Sequence, residues 1–97
     1  MNRQEHLLVI LSEECAELSK EVSKALRFGL NDHAPSSTET NAQRIVSEFN
    51  DLVAVFRMLS ENDIFNPDEL LNDNSIVEKK SKVERYLIYS KHVGTLS

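Results

Sequence analysis

Three acidic residues in the stretch 10–28 fall on the side of a predicted helix that also carries its apolar residues. At ~100° per residue, Glu14, Glu17 and Glu21 lie within about 60° of one another. A carboxylate on a face that should be buried is costly unless a cation compensates its charge. The pattern therefore predicts that this helix helps to hold a cation.

A second acid pair repeats this arrangement further along the chain. Glu48 and Asp51 are separated by about 60° on the helical wheel, and apolar residues flank them on the same face. Helices pack about 8–10 Å apart, so acid pairs on two facing helices can converge. Carboxylate oxygens without His or Cys suit Mg²⁺ or Mn²⁺ rather than zinc. Because protein-bound Mg²⁺ commonly works with substrate phosphates, the predicted chemistry is a metal-dependent reaction of a polyphosphate.

Polar and basic side chains suited to phosphate or sugar contacts occur in two places. Two of them precede the second acid pair on the same helix face, and three share a face of the last predicted helix: Asn41, Arg44, Lys79, Lys82 and Tyr86. The alternative interpretation of the lysines, as of any isolated Glu-x-x-Glu pair, is a solvated helix face. For Tyr86 the alternative is a packing role.

Composition restricts the class of protein. The 97 residues are expected to form one domain, residues 1–97, near the small end of what can bury its own core. The net charge of −5 argues against nucleic acid as the main partner. A single cysteine excludes an intrachain disulfide and suits a reducing cytoplasm. The short N-terminal apolar run predicts neither a signal peptide nor a membrane span, so we expect a cytoplasmic protein with no membrane partner.

Apolar spacing and capping signals predict an all-α chain. Ser-x-x-Glu boxes at 36–39 and 75–78 predict two helix starts, and Asn66 followed by Pro67 predicts the start of a short helix. The segment before the second helix is a loop by composition and a candidate lid. The predicted helices cover about residues 3–28, 37–62, 67–72 and 76–92.

So few helices enclose little core within one chain. Long amphipathic helices need a partner face, and a four-helix core completed by oligomerisation provides one. We therefore expect a homodimer or a homotetramer.

The two acid motifs together resemble those of a known family. Glu13-Glu14-x-x-Glu17 followed by Glu48-x-x-Asp51 is similar to the EExxE…ExxD signature of the MazG-like, all-α nucleoside triphosphate pyrophosphohydrolases. The surrounding words EECAEL, KALRFG, TNAQRIVSEFNDL and KKSKVERYLIYSKHVG resemble the small phage and bacterial members. The resemblance covers about residues 13–94. Two departures are a spacer of 30 residues between the motifs, longer than is usual in the family, and the absence of a tryptophan to stack on a base.

The resemblance implies a MazG-like helical bundle assembled as a dimer or tetramer. It also implies Mg²⁺-dependent cleavage of an NTP or dNTP to the monophosphate and pyrophosphate. The metal ligands it implies are the four acids that match the motif: Glu14, Glu17, Glu48 and Asp51. We expect Glu13 or Glu21 to orient the attacking water. The motif favours Glu13, whereas helix geometry favours Glu21, which lies on the acid face.

Two alternatives stay open. One is a related helical pyrophosphatase acting on a specialised nucleotide such as dUTP, dCTP or phosphoribosyl-ATP. The other is a non-catalytic helical dimer whose acid cluster binds Mg²⁺ or Ca²⁺ for stability, or docks a basic partner. Metal-dependent melting without nucleotide turnover would distinguish the second from either enzyme.

Overall fold

The fold is entirely helical, which confirms the predicted all-α class. The structure, a computed structural model, describes all 97 residues. Its elements are α1 (Arg3–Phe28), α2 (Asn41–Glu61), a 3₁₀ turn (Pro67–Glu69) and α3 (Asp73–His92). None of the helices combines the length and apolar character that a membrane crossing requires. The chain divides into two compact units, Met1–Pro67 and Asp68–Ser97.

Helix α1 has the predicted bounds because both of its ends are marked in the sequence. The Asn2 side chain caps the first turn by accepting a hydrogen bond of 2.8 Å from the Glu5 amide. At the other end, the Gly29 amide donates to the Ala25 carbonyl, and Gly29 turns the chain with φ +97° and ψ 153°. That region of backbone space is essentially restricted to glycine.

Helix α2 begins at Asn41, so its predicted start at residue 37 is wrong. The functional capping box is Thr40-x-x-Gln43, in which the Gln43 amide donates to the Thr40 hydroxyl and the Thr40 amide donates to the Gln43 side chain. The earlier box at 36–39 is not used because the loop folds back on the helix start. The amide of Asn41 donates to the Asp32 carbonyl at 2.8 Å, and that of Ala42 donates to the Leu30 carbonyl at 2.9 Å.

The predictions for the chain after α2 also need correction. The predicted short helix over 67–72 is a 3₁₀ turn that ends at Glu69, and Leu71 follows with a positive φ of 54°. Helix α3 starts at Asp73 rather than 76 because Asn72 is its cap and accepts a hydrogen bond from the Ser75 amide. Asparagine is among the best capping residues, and here it acts three residues before the predicted serine box.

The core of the first unit lies between α1 and α2. Leu7 of α1 contacts the end of α2, whereas the last turns of α1 contact its start, so the two helices run antiparallel. Leu59 is fully buried, and Leu7 and Val55 are nearly so. Beyond α2, a turn at Asp63 with φ 60° brings Ile64 and Phe65 back against this core. The packing fixes the register that brings the acidic residues of the two helices together.

Helix α3 of the second unit buries none of its residues. Its large apolar side chains are 40% exposed or more: Ile76, Val77, Val83, Tyr86, Leu87, Ile88 and Tyr89. Exposed apolar surface of this kind is typical of a helix that packs against another protein surface. Completion of a four-helix core by oligomerisation stays a prediction, as do the MazG-like identity and the single-domain description.

Candidate metal site and adjoining pocket

Acidic residues of α1 and α2 meet where the antiparallel helices face each other. Carboxylate oxygens of Glu14, Glu48 and Asp51 all lie within 4.8 Å of one another. Glu14 and Glu48 are half-buried, whereas Asp51 is exposed. The group therefore opens to solvent on one side, as a site that admits a substrate would need to.

A second acid group shares Glu48 with the first. Carboxylate oxygens of Glu17, Glu21 and Glu48 also lie within 4.8 Å of one another. The four acids predicted as metal ligands are thus all members of these two groups, which we call the acid cluster: Glu14, Glu17, Glu48 and Asp51, with Glu21 at its edge. Their role as metal ligands stays a prediction, but the convergence expected from the helical wheel is present.

Glu48 is the acid most affected by this crowding. Burial raises its pKa, and the negative charges of Asp51 and Glu14 raise it further. A hydrogen bond with Glu14 and the charge of Glu17 act in the same direction. The ionised form of Glu48 is therefore disfavoured, and a bound cation would relieve this cost.

Glu21 behaves in the opposite way because it has cationic partners. Its side chain is almost fully buried and accepts hydrogen bonds from the Arg44 guanidinium, from Nε at 3.1 Å and from Nη2 at 3.4 Å. Lys24 Nζ lies 3.6 Å from the same carboxylate. Burial alone raises the pKa of Glu21, but the hydrogen bond and charge of Arg44, together with Lys24, outweigh burial and lower it. The same pairing raises the pKa of Arg44.

The remaining predicted site residues lie in three different settings. Glu13 is exposed on α1 and belongs to neither acid group. Asn41 is 6% exposed, and its amide nitrogen donates to the Gly29 carbonyl at 2.9 Å, so it fastens the loop. The third set lies exposed on α3: Lys79, Lys82 and Tyr86. Lys82 Nζ is 6.0 Å from the centre of the Tyr86 ring, and the phosphate-binding role of this set stays a prediction.

A pocket at the loop between α1 and α2 was not predicted as part of the site. It has a volume of about 260 Å³ and is lined by residues from the end of α1, from the loop and from the start of α2: Lys24, Phe28, Asp32, His33, Ala34, Pro35, Asn41 and Arg44. The sequence signals a loop here through Gly29 and Pro35, but only the fold brings this loop against Arg44. Arg44 and Lys24 link the pocket to the edge of the acid cluster, since both contact Glu21.

Comparisons with protein-family models, with curated proteins and with solved structures give no match for this chain. The fold and the site together define an all-α protein with an acid cluster between two antiparallel helices and a mixed apolar and cationic pocket beside it.

Proposed function

We propose that this protein is a Mg²⁺-dependent nucleoside triphosphate pyrophosphohydrolase. It would convert an NTP or dNTP and water to the monophosphate and pyrophosphate. The observation that supports this most directly is the convergence of Glu14, Glu48 and Asp51 from two helices, with Glu17 in the overlapping group. The likeness of the two acid motifs to the EExxE…ExxD signature adds the reaction class.

The donor atoms fit the proposed metal. Mg²⁺ prefers six oxygen ligands at about 2.1 Å, so opposite ligands lie about 4.2 Å apart. Carboxylate oxygens that lie within 4.8 Å of one another are close to that spacing. The cluster has only carboxylate donors, which suits Mg²⁺ or Mn²⁺. The raised pKa of Glu48 agrees with this, because crowded carboxylates favour a bound cation.

In this proposal the bound metal stabilises charge, and the side chains of the protein orient the substrate. When bound, the metal supplies charge stabilisation for the phosphoryl oxygens and the leaving pyrophosphate. Arg44, one turn before Glu48, is held by Glu21 in a fixed orientation and would donate hydrogen bonds to the phosphate tail. Asn41 is a further proposed contact to phosphate or sugar in the first unit. For the α3 residues Lys79, Lys82 and Tyr86, a role in phosphate binding is proposed from the sequence alone.

Water attacks the α-phosphorus in line with the bond to the leaving pyrophosphate, and an acid accepts its hydrogen bond. Glu13 and Glu21 are the proposed candidates. Glu21 lies at the edge of the acid cluster, and its lowered pKa keeps it ionised and able to accept. Its bonds to Arg44 compete for that role, whereas Glu13 is exposed and outside both groups. Glu13→Gln and Glu21→Gln, compared at saturating substrate, would identify the residue on which turnover depends.

The experiment that tests the proposal is pyrophosphate release from a panel of NTPs and dNTPs, with Mg²⁺ or with EDTA. We expect Mg²⁺-dependent formation of pyrophosphate and monophosphate in equal amounts. A strong preference within the panel would identify a specialised substrate, such as dUTP or dCTP, and phosphoribosyl-ATP belongs in the same panel. Glu61→Gln, an exposed acid at the end of α2, is the matched control and should retain full activity.

A second candidate function is a non-catalytic helical dimer stabilised by a cation. The crowding of Glu48 favours it, because Mg²⁺ or Ca²⁺ would relieve that crowding without any nucleotide. This candidate predicts that Mg²⁺ alone raises the melting temperature and that no substrate in the panel is cleaved. A rise that needs a non-hydrolysable NTP as well as Mg²⁺ would support the enzyme instead.

We further propose that the protein assembles as a homodimer or homotetramer. Exposed apolar side chains occur in the first unit as well as on α3, among them Val22 at 41% and Val46 at 58%. Association of copies would bury such side chains. Light scattering after size-exclusion chromatography tests this, and a monomer at micromolar concentration would contradict it.

A further inference from the structure

We propose that the pocket between the end of α1 and the following loop binds the base and sugar of the nucleotide. This inference rests on the proposed function, because that function supplies the nucleotide. It assigns the two ends of the substrate to different places, with the triphosphate at the acid cluster and the nucleoside in the pocket.

The walls of the pocket suit a flat, uncharged ring. Phe28 lines it with a side chain that is 57% exposed, and Ala34 and Pro35 add apolar surface. The Arg27 guanidinium lies 5.0 Å from the centre of the Phe28 ring, within the range of a cation–π contact that steadies the ring. Bases of every kind stack on aromatic side chains, since each has a π-face. Phe28 thus provides an exposed aromatic surface on which a base can stack.

The charges around the pocket argue against a polyphosphate as its occupant. Its two cationic residues, Lys24 and Arg44, both contact the buried carboxylate of Glu21. Asp32 adds a further negative charge to the lining. The two positive charges are therefore balanced by two negative ones, and a neutral base with its sugar fits better than a triphosphate.

The pocket and the acid cluster are close enough to share one ligand. Arg44 lines the pocket and donates to Glu21, and the Glu21 carboxylate lies within 4.8 Å of those of Glu17 and Glu48. A nucleotide seated on Phe28 would thus extend its phosphates past Arg44 toward the acids. Along this path lie the Phe28 ring, the Arg44 guanidinium and the carboxylates of the acid cluster, in that order. They would contact the base, the phosphate tail and the phosphate-bound metal, respectively.

The pocket is held open by backbone hydrogen bonds rather than formed by the ligand. The loop is tied to the start of α2 by the bonds from Asn41 and Ala42 described above and by the Asn41 side chain bound to Gly29. Within the loop, the Ser37 amide donates to the Ala34 carbonyl at 3.0 Å. A preformed pocket avoids the entropy of ordering a loop on binding.

A tryptophan introduced at the pocket tests the inference without any catalysis. The chain has no native Trp, so Phe28→Trp creates a single fluorescent indole at the proposed stacking position. Leu26→Trp, at a residue that is 83% exposed and outside the pocket lining, is the matched control. The probes are AMP, CMP, GMP and UMP, with inorganic tripolyphosphate as the base-free comparison, all in EDTA.

We expect at least one monophosphate to quench the Phe28→Trp signal saturably, with no such change for Leu26→Trp or for tripolyphosphate. Quenching by tripolyphosphate alone, or no saturable change with any monophosphate, would overturn the inference. Changes in the NMR chemical shifts of the backbone amides, measured for the wild-type protein with the same monophosphates, give an independent test. The largest changes should fall in residues 28–35, and largest changes elsewhere would also overturn the inference.

Activity then separates this inference from the function on which it rests. If Mg²⁺-dependent pyrophosphate release is present, Phe28→Ala should raise KM roughly tenfold with little change in kcat. Release with an unchanged KM would overturn the subsite and leave the enzyme intact. Saturable monophosphate binding without any release would overturn the enzyme and leave the subsite intact.

Discussion

The charged side chains of α1 and α2 in the first unit differ from those of α3 in the second unit in how far they are buried and paired. Between α1 and α2, Glu21 is only 1% exposed and has two cationic partners, and Glu48 is half-buried among other acids. Every charged side chain of α3 is exposed. Charges that are desolvated against one another affect stability and chemistry strongly, whereas exposed charges contribute little. Substitutions should therefore have large effects in the first unit and small ones on α3.

The largest difference should appear in activity when one acid of the cluster is neutralised. Asp51→Asn keeps the size of the side chain but removes a charged ligand, and we expect kcat to fall roughly 100-fold or more. Glu84→Gln, an exposed acid on α3, is the matched control and should retain its turnover. Pyrophosphate release at saturating NTP and Mg²⁺ measures both. Full activity of Asp51→Asn would remove Asp51 from the metal site.

Among the substitutions of charged residues, Glu21→Gln should cause the largest loss of stability. The amide keeps the shape but weakens two hydrogen bonds to Arg44, and we expect a loss of about 1–2 kcal/mol in the free energy of unfolding at pH 7. The matched control is again Glu84→Gln, which should unfold like the wild type. Urea titrations in EDTA measure the difference, and equal midpoints for the two variants would contradict the prediction.

The contribution of Glu21 also depends on pH with a definite sign. Its pKa is lower in the folded state than the usual 4.5, so the unfolded state binds the proton more readily. The stabilisation is therefore complete above that usual value and is lost as the pH falls through the lowered folded pKa. The gap between wild type and Glu21→Gln should close over this acidic range, and a gap that stays constant would contradict an ion-pair origin.

The two glycines provide the next comparison because both have a positive φ but lie in different units. Gly29 has φ +97° between α1 and the loop, and Gly94 has φ +88° after α3. An added Cβ would meet no atom within 4 Å at either position, so any cost comes from the backbone. Gly29→Ala should lower the free energy of unfolding by about 1–3 kcal/mol, because the backbone at residue 29 must turn into the loop that is hydrogen-bonded to the start of α2. Gly94→Ala should lower it by less, because a chain end can relax. Thermal melting compares the two, and an equal loss would mean that the loop can also relax.

How far the sequence predicts this molecule differs between its local and its tertiary features. The bounds of α1 follow from its own caps, and the convergence of Glu14 and Glu48 follows from their place on apolar faces. The predicted start of α2 is wrong because two Ser/Thr-x-x-Glu/Gln capping boxes follow each other in the sequence. The hydrogen bonds between the loop and the first residues of α2 favour the second box, which begins at Thr40. The Glu21–Arg44 pair and the Phe28 pocket depend on helix register and loop path, which no local pattern specifies.

Glu48→Gln should give the smallest effect, and its sign should be opposite to that of Glu21→Gln. Burial and the neighbouring acids Asp51 and Glu14 raise the pKa of Glu48 above the usual 4.5. The folded state therefore binds the proton more readily, and in the wild type its stability falls as the pH rises through that raised value. A neutral amide removes this cost, so without metal the variant should melt slightly higher than the wild type at pH 7. The advantage should shrink as the pH is lowered toward 4.5.

Melting in EDTA across this pH range measures the difference between Glu48→Gln and the wild type, with Glu78→Gln on α3 as the control that should show no such trend. A variant that melts lower than the wild type at pH 7 would mean that Glu48 is stabilised by its neighbours rather than crowded by them, and the case for a cation between α1 and α2 would lose its electrostatic support.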